Sequence, residues 1–305
     1  MATAVAGGSV KSTDWENPAQ MGLWQDAWIR FRRNRVAVLG LGIVGLLVLD
    51  AVLIAIRDLL HLPILGDPLK QNLDVIFAPP SLAHPLGADY LGRDMLARLL
   101  AGAQISIEVG LVVQVIILVI GGAIGLTAGY YGGWVDNLLM RFTDIMYAFP
   151  DLLFVIVVVA ALGRSLLSIF AAIAVVNWVN LARLIRGQVL QIREKEYIEG
   201  ARSSGSGPAK IIMKHLIPNS LGPIIVTLTF GIPQAIFLEA SLSYLGAGLP
   251  PPTSSWGVMI LDGYQAINAA VLNLLFPAVA IAITMLAFTF VGDGLRDALD
   301  PRMRR

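Results

Sequence analysis

The chain has 305 residues, of which 56% are hydrophobic and 14% are charged, and its mean hydropathy is +0.74. Because a soluble domain carries about 25% charged residues, this composition excludes an ordinary soluble protein and predicts one that resides in a lipid bilayer. The absence of cysteine excludes disulfides, iron–sulfur clusters and thiolate chemistry, the three scattered histidines do not form a metal site, and the net charge of +1 gives no indication of nucleic-acid binding.

The amino-terminal region, residues 1–35, is predicted to be a polar cytoplasmic leader followed by an interfacial helix. Residues 24–35 combine aromatic residues with four arginines directly before an apolar run, a pattern typical of the cytoplasmic headgroup layer. The apolar run, residues 36–56, would be about 31 Å long as a helix, which is enough to cross the hydrocarbon core. Asp50 lies near the outer end of this first span, where it either reaches water or serves a function.

Residues 57–103 are hydrophilic and rich in proline and aspartate, so we expect an ordered external loop. The last part of this loop, residues 94–101, is amphipathic and is predicted to lie on the outer surface. The second span, residues 105–129, carries glycines at intervals of four. This spacing allows close helix packing, either within the chain or against a partner subunit. The glycines on this face are Gly121, Gly125, Gly129 and Gly133.

Residues 137–162 are predicted to form a third membrane helix with a kink at Pro150. Arg141 and Asp144 lie three residues apart near its start, a spacing that permits an ion pair. Asp144 is otherwise a candidate for the lining of a solute pathway. The fourth span is expected at residues 166–182.

A polar segment of about twenty residues then interrupts the apolar runs, and we call residues 196–218 the docking segment. Glycine accepts the left-handed conformation just after a helix, and proline fits the first helical turn. The run from Gly205 to Pro208 therefore predicts a turn between two helices, the second of which is closed by Pro218. The second helix has an apolar face and a basic face, which is typical of a docking element.

The fifth span, residues 221–245, is interrupted by Pro233 and carries polar residues in its outer half. A kinked helix with polar groups can line a water-filled cavity, so Glu239, Ser243 and Tyr244 are predicted to line the solute path or its outer gate. The alternative is that Glu239 pairs with a neighbouring helix and only stabilises the bundle.

The rest of the chain is predicted to comprise an external loop at 246–268, a sixth span at 271–292 and a cytoplasmic tail at 293–305. The predicted inner segments hold seventeen of the 22 lysines and arginines: five before the first span, one in the second-to-third turn, seven in and around the docking segment and four in the tail. Because lysine and arginine favour the cytoplasmic side, both termini and the docking segment are predicted to be cytoplasmic. The fold class is therefore an all-α, polytopic membrane bundle of six transmembrane helices.

Motifs along nearly the whole chain after residue 20 resemble those of one transporter family. Glu199-Gly200-Ala201, followed by Gly205 and by His215-Leu216-Ile217-Pro218, is similar to the EAA motif of ABC importer permeases, with Gly200 in place of the usual alanine. Other motifs look like the C-type permease subunit of the dipeptide/oligopeptide transporters. These are His84-Pro85-Leu86-Gly87, Leu91-Gly92-Arg93-Asp94, Ala148-Phe149-Pro150, Ala182-Arg183-Leu184-Ile185-Arg186-Gly187, Glu239-Ala240-Ser241-Leu242-Ser243-Tyr244-Leu245-Gly246, Ser255-Trp256-Gly257 and Gly292-Asp293-Gly294-Leu295-Arg296-Asp297.

The resemblance implies a type I ABC importer permease in a prokaryotic inner membrane, with its core at residues 104–292, and it implies ATP-driven import of di- or oligopeptides. The implied partners are a second, related permease in a heterodimer, ATP-binding subunits that hold ATP and Mg, and an extracytoplasmic solute-binding protein that faces the loop at 57–103. The docking segment would couple to the ATP-binding subunit through Glu199, Gly200, Ala201, Gly205, Ser206, Pro208, His215 and Pro218.

The chain has no Gly-x-x-x-x-Gly-Lys-Ser/Thr sequence, so it is expected to be non-catalytic and to hold no cofactor of its own. Several alternatives remain open from the residues. The solute of a sister family, such as a nickel chelate or glutathione, would suit the same pattern. An ion-coupled secondary transporter would work without ATP, and an assembly protein would need no solute path.

Overall fold

The computed structural model describes residues 22–62 and 66–300, so the predicted leader at 1–21 and the end of the predicted tail at 301–305 lie outside the described residues. Within that part of the chain the regular elements are helices, apart from one isolated bridge between Ala88 and Asp94, which agrees with the predicted all-α class. The helices are α1 (Leu23–Arg33), α2 (Arg35–Leu60), α3 (Met95–Tyr131), α4 (Gly133–Tyr147), α5 (Asp151–Leu162), α6 (Leu166–Arg193), α7 (Glu196–Ser203), α8 (Pro208–Ile211), α9 (Ile217–Tyr244), α10 (Trp256–Gln265) and α11 (Leu272–Leu299).

Five helices are long and apolar enough to cross a bilayer: α2, α3, α6, the continuous helix made by α8 and α9, and α11. α4 and α5 meet the same criterion together but are bent by 89°. α3 and α6 run parallel, because Gly121 lies against Trp178 at one level and Gly129 lies against Val189 nearer the end of both helices. The chain between them therefore returns to the starting end of α3, so the bent pair supplies the third of the six predicted passes.

The prediction that Pro150 only kinks a single third helix is wrong. α4 ends at Tyr147, Pro150 occupies the position directly before α5, and the chain direction changes by 89°. Proline has no N–H to donate to the preceding turn, and its ring disfavours the helical conformation of the residue before it. Pro150 therefore separates two helices.

The second span begins earlier than predicted. α3 starts at Met95, and Asp94 caps it by accepting a hydrogen bond from the N–H of Ala97 at 2.8 Å. Residues 94–101, predicted to be a separate surface helix, form the first turns of α3 instead. Arg98, which lies in these first turns, is buried in ion pairs inside the protein.

Two arginines and two aspartates form a buried ion-pair network at this end of the bundle. Asp89 Oδ2 accepts hydrogen bonds from Arg93 Nε at 2.6 Å and from Arg98 Nη1 at 2.5 Å. Arg98 also donates through Nη2 to Asp262 of α10 at 2.8 Å. Removal of one partner from such a buried pair costs about 3–5 kcal/mol. The network therefore holds the predicted external loop in an ordered position against α3 and α10.

Glycines bring α3 and α6 into very close contact. A Cβ added at Gly121 would lie 2.8 Å from the carbonyl oxygen of Trp178, and one added at Gly125 would lie 2.5 Å from that of Ala182. Gly129 is equally close to Val189, at 2.7 Å. Gly133 is different: it starts α4 with a φ of +57° and has no atom within 4 Å of an added Cβ. Three of the four predicted glycines thus lie in a contact within the chain, and Gly133 does not.

Arginines of α6 make the polar contacts at the α7 end of the bundle. Arg183 donates to Asp144 at 2.7 Å and lies over the ring of Tyr147. Arg186 donates to Asp136 at 2.7 Å through Nη2. The predicted ion pair between Arg141 and Asp144 is therefore wrong, because an arginine from the neighbouring helix already occupies that carboxylate.

The last helix, α11, extends to Leu299 instead of ending at residue 292, so the first part of the predicted tail is helical. It packs against the amino-terminal elements because Gly294 allows Phe31 of α1 to approach its backbone. α1 and α11 therefore meet at the same end of the bundle as α7.

Candidate functional site

The docking segment forms the predicted helix, turn and helix. α7 ends at Ser203, and Gly205 adopts a φ of +79° in the left-handed region. The N–H of Gly205 donates to Arg202 O at 2.9 Å, and the N–H of Ser206 donates to Ala201 O at 3.0 Å. These bonds satisfy carbonyl groups that a helix end otherwise leaves free. The expected left-handed turn at Gly205 is confirmed.

Apolar side chains of the docking segment attach it to the membrane bundle. Ile198 of α7, Ile211 of α8 and Leu216 are buried in the same apolar core as Val189 and Ile192 of α6. The rings of Tyr197 and His215 lie 6.1 Å apart, which brings α7 and the second helix together. Arg202 lies over the ring of Tyr130 at the end of α3. The segment is therefore packed onto α6 and α3.

The prediction that Pro218 closes the second helix is wrong. Pro208 starts that helix as expected, but a π-helical turn at Ile212–Leu216 then leads directly into α9, so helix runs from Pro208 to Tyr244. A proline ring normally crowds the carbonyl four residues earlier. The wider turn directly before Pro218 accommodates the ring without ending the helix. The docking segment is thus rigidly continuous with a membrane span.

The predicted coupling residues lie mainly on the outer surface of this hairpin. Glu199, Gly200, Gly205, Pro208 and Pro218 are exposed, whereas Ala201, Ser206 and His215 are half-buried. Lys210 and Lys214 add positive charge to the same exposed region. Among the residues that the structure describes, Glu199 has no ion-pair partner. This surface could accept a partner that offers both apolar and charged groups.

The structure separates Asp144 from the other residues predicted for the pathway or gate. Asp144 lies with Arg183 at the α7 end, whereas Glu239 lies near the opposite end of α9. Glu239 is fully buried, and its Oε1 accepts hydrogen bonds from Ser243 at 2.8 Å and from Ser255 at 2.7 Å. This arrangement ties α9 to the start of α10. Tyr244 is half exposed beside Tyr264, so these residues do not form a single polar surface.

Two cavities lie between α6 and α9, and the sequence analysis did not predict them. The smaller, about 50 Å³, is in the middle of the bundle and is lined by Gln114, Asn177, Asn180 and Gln234 among others. The larger, about 670 Å³, opens at the α7 end and includes Pro218. Thr227 lines both cavities, so they are adjacent to each other along the two helices. Carboxamides within apolar spans were the sequence signal that could have revealed this feature.

Comparisons with known proteins point to one group of transport proteins. The family model described as the binding-protein-dependent transport system inner membrane component matches residues 121–305. The model of the N-terminal TM domain of oligopeptide transport permease C matches residues 22–80.

Curated relatives match over most of their length. The oligopeptide transport system permease protein OppC of Bacillus subtilis is 43% identical over 93% of this chain and 92% of its own. The dipeptide transport system permease protein DppC of the same organism is 43% identical over 92% of this chain and 86% of its own. The glutathione transport system permease protein GsiD of Pectobacterium atrosepticum is 39% identical over 92% of each chain.

Among solved structures, a chain of the MetNI methionine ABC transporter in an inward-facing conformation superposes with a TM-score of 0.55. It is 20% identical and covers 68% of this chain and 98% of its own. The similarity between this chain and that structure is therefore a similarity of fold.

Proposed function

Because this chain belongs to the family of binding-protein-dependent transport system inner membrane components, as a C-type permease, we propose that its docking segment couples ATP hydrolysis in a partner subunit to the import of peptides. It has the type I ABC importer permease fold. In this family the permease is non-catalytic. The observation that carries the coupling proposal is the attachment of the docking segment to two membrane spans: its second helix runs without a break into α9, and its apolar side chains pack against the end of α6.

The docking segment is suited to transmit movement between an ATP-binding subunit and the two membrane spans. Ile198, Ile211 and Leu216 are buried against the end of α6, so a displacement of α7 moves the ends of both spans as packed rigid bodies. The exposed turn at Gly205 and the unpaired Glu199 provide the surface for the ATP-binding subunit, which would hold the ATP and Mg. Closure of two ATP-binding subunits would then switch the pathway between outward and inward opening.

The excess of lysine and arginine at the α7 end supports a cytoplasmic location for that end. The four arginines in and after α1, the positive residues of the docking segment and Arg296 of α11 all lie there, while the loop before α3 is at the other end. This distribution supports the proposal that both termini are cytoplasmic, and a cytoplasmic docking segment would have access to ATP. The ordered loop at 66–94 would then face the solute-binding protein outside.

Peptides are the substrate class that the relatives favour. The permeases OppC and DppC are named for oligopeptides and dipeptides, and glutathione, the solute of GsiD, is itself a tripeptide. An ion-coupled secondary transporter is not favoured, because the curated relatives are permeases of transport systems of this family. We further propose that the functional unit pairs this chain with a second, related permease, and that residues 104–292 are the five-helix core of the permease.

A charge reversal at Glu199 tests the docking surface. Glu199→Lys should weaken binding of the ATP-binding subunit by about tenfold. The reason is that the contact would bury the side chain at position 199, and a lysine there would replace an attraction to the partner's charge by a repulsion. The measurement is co-purification of the two subunits at rising salt. The matched control is Asp293→Lys, which reverses an exposed acid of α11 at the same end of the bundle but outside the docking segment. Equal co-purification of the Glu199→Lys variant and the control variant would contradict the assignment.

A further inference from the structure

Uncharged polar side chains follow one face of α6 toward its centre. Asn177, Asn180, Gln188 and Gln191 are separated by three, eight and three residues, which places them on one side of an α-helix. Thr227 and Gln234 of α9 lie across from them, around the two adjacent cavities. We call these six residues the carboxamide stripe, since five of them carry a side-chain amide.

The centre of the stripe lies deep in the membrane part of the molecule, whereas Gln188 and Gln191 lie near the α7 end. Asn180 is fourteen residues from the start of α6 and thirteen from its end, so at about 1.5 Å per residue it is roughly 20 Å from each. Both Asn180 and Gln234 are exposed in the isolated chain. A lipid-facing position at this depth would leave each amide without water or any other hydrogen-bond partner.

Most of these amides have no partner within the chain. Asn177 donates to Ile173 O at 2.9 Å and Thr227 donates to Pro223 O at 2.9 Å. Among the residues that the structure describes, the side chains of the other four form no hydrogen bond; they are Asn180, Gln188, Gln191 and Gln234. An unpaired amide in hydrocarbon costs roughly 2–7 kcal/mol. Unpaired amides at the depth of Asn180 and Gln234 therefore indicate contact with water or a polar solute, not with lipid, and Gln188 and Gln191 continue the same face toward the α7 end.

The carboxamide stripe carries no charge, and this bears on which solutes it can select. The described residues around the central cavity include no charged side chain. Around the larger cavity the charged groups are Arg296 and Asp300, both near the end of α11. A path for solutes selected by charge would place a fixed countercharge at its centre, as transporters for ions and charged groups do.

We propose that the carboxamide stripe is this chain's half of the solute path and that it binds the main-chain amides of an extended peptide, irrespective of the charge of the peptide's side chains. A carboxamide offers one acceptor and two donors, which complement the N–H and C=O groups of any peptide bond. The inference rests on the proposed peptide import. It adds which residues contact the peptide and why peptides of different sequence can share one path.

The test introduces a charge at the centre of the stripe without changing its shape. The complete importer, with both permeases, ATP-binding subunits and solute-binding protein, is reconstituted in vesicles with Asn180→Asp. Import of three tripeptides is measured at saturating solute-binding protein: Ala-Ala-Ala, Ala-Lys-Ala and Ala-Glu-Ala. Asn137→Asp, on an exposed position of α4 away from both cavities, is the matched control.

The wild-type complex should import the lysine and glutamate peptides at rates within about threefold of each other, because no fixed charge lines the central path. Asn180→Asp should change the ratio in favour of the lysine peptide by about tenfold, since an unscreened charge pair at short range is worth more than 1.4 kcal/mol. Asn137→Asp should leave the ratio at the wild-type value.

The outcomes separate this inference from the function on which it rests. An unchanged ratio in Asn180→Asp, with wild-type import, would overturn the role of the stripe and leave peptide import intact. Failure of the wild-type complex to import any of the three peptides would contradict the proposed function itself. If Asn180→Asp does not assemble, Gln234→Glu places the same charge on the opposite helix and is expected to give the same change of ratio.

Discussion

Gly205 is the residue on which the shape of the docking segment depends. Its left-handed conformation allows Ser206 to hydrogen-bond back to α7, and this reverses the chain between α7 and α8. The position is exposed, and a Cβ added there would meet no other atom within 4 Å. A side chain at this site is therefore opposed only by the backbone conformation, which isolates the effect of the turn.

We expect Gly205→Val to uncouple ATP hydrolysis from transport. A left-handed conformation costs an ordinary L-residue roughly 1–2 kcal/mol, and a β-branched residue tolerates it least. Gly207→Val is the control, because Gly207 is equally exposed but has a φ of −68°, which valine adopts readily. The measurement is peptide import per ATP hydrolysed in the reconstituted complex. Wild-type coupling in Gly205→Val would show that the turn does not matter.

Residue types alone predicted this turn, because glycine and proline act through their own backbones. They did not predict the partners of charged side chains. Asp144 was assigned to Arg141 by spacing along α4, yet Arg183 reaches it from α6. Glu239 was placed on a pathway by its position in a span, yet it is buried between two serines. Partners from another helix depend on tertiary packing, which a spacing rule does not contain.

The contact between α3 and α6 brings the backbones of the two helices close together through glycines of α3. Gly125→Ala should destabilise the protein by about 1–3 kcal/mol, because the added methyl group would press against the backbone of Ala182. Gly122→Ala is the matched control, since its Cβ would approach only Leu118 of its own helix, at 4.0 Å. The comparison is made by thermal unfolding in detergent. Equal melting temperatures for the two variants would contradict this contact.

At the level of whole helices, the sequence predicted the existence of each element better than its ends. Hydrophobic runs and the glycine spacing identified the spans and a close contact, but not that α6 is the partner of α3. Two prolines had effects other than those predicted. Pro150 was expected to kink a helix but separates two helices, and Pro218 was expected to end a helix but lies within one. A π-helical turn made the second outcome possible, and local sequence does not encode that turn.

In the whole molecule, the same two helices carry both proposed activities, the docking of the ATP-binding subunit and the contact with the solute. α6 and α9 receive the docking segment at one end and carry the carboxamide stripe along their facing surfaces. A movement of α7 would therefore change the spacing of the stripe directly, without a relay through other elements. The buried network of Asp89, Arg93, Arg98 and Asp262 fixes the opposite end, so the motion is expected to be largest near the docking segment.

The central claim, that the docking segment contacts an ATP-binding subunit, can be tested with one engineered cysteine, because the chain has none of its own. Ser204→Cys places a thiol at the exposed end of α7, and Ser81→Cys, in the loop at the opposite end, is the control. Each variant is co-expressed with the ATP-binding subunits of its system and crosslinked with and without ATP. A crosslink to an ATP-binding subunit from Ser204→Cys alone, changed in yield by ATP, is the predicted result. An assembled complex that gives no such crosslink from Ser204→Cys, or from Ser203→Cys beside it, would contradict the account.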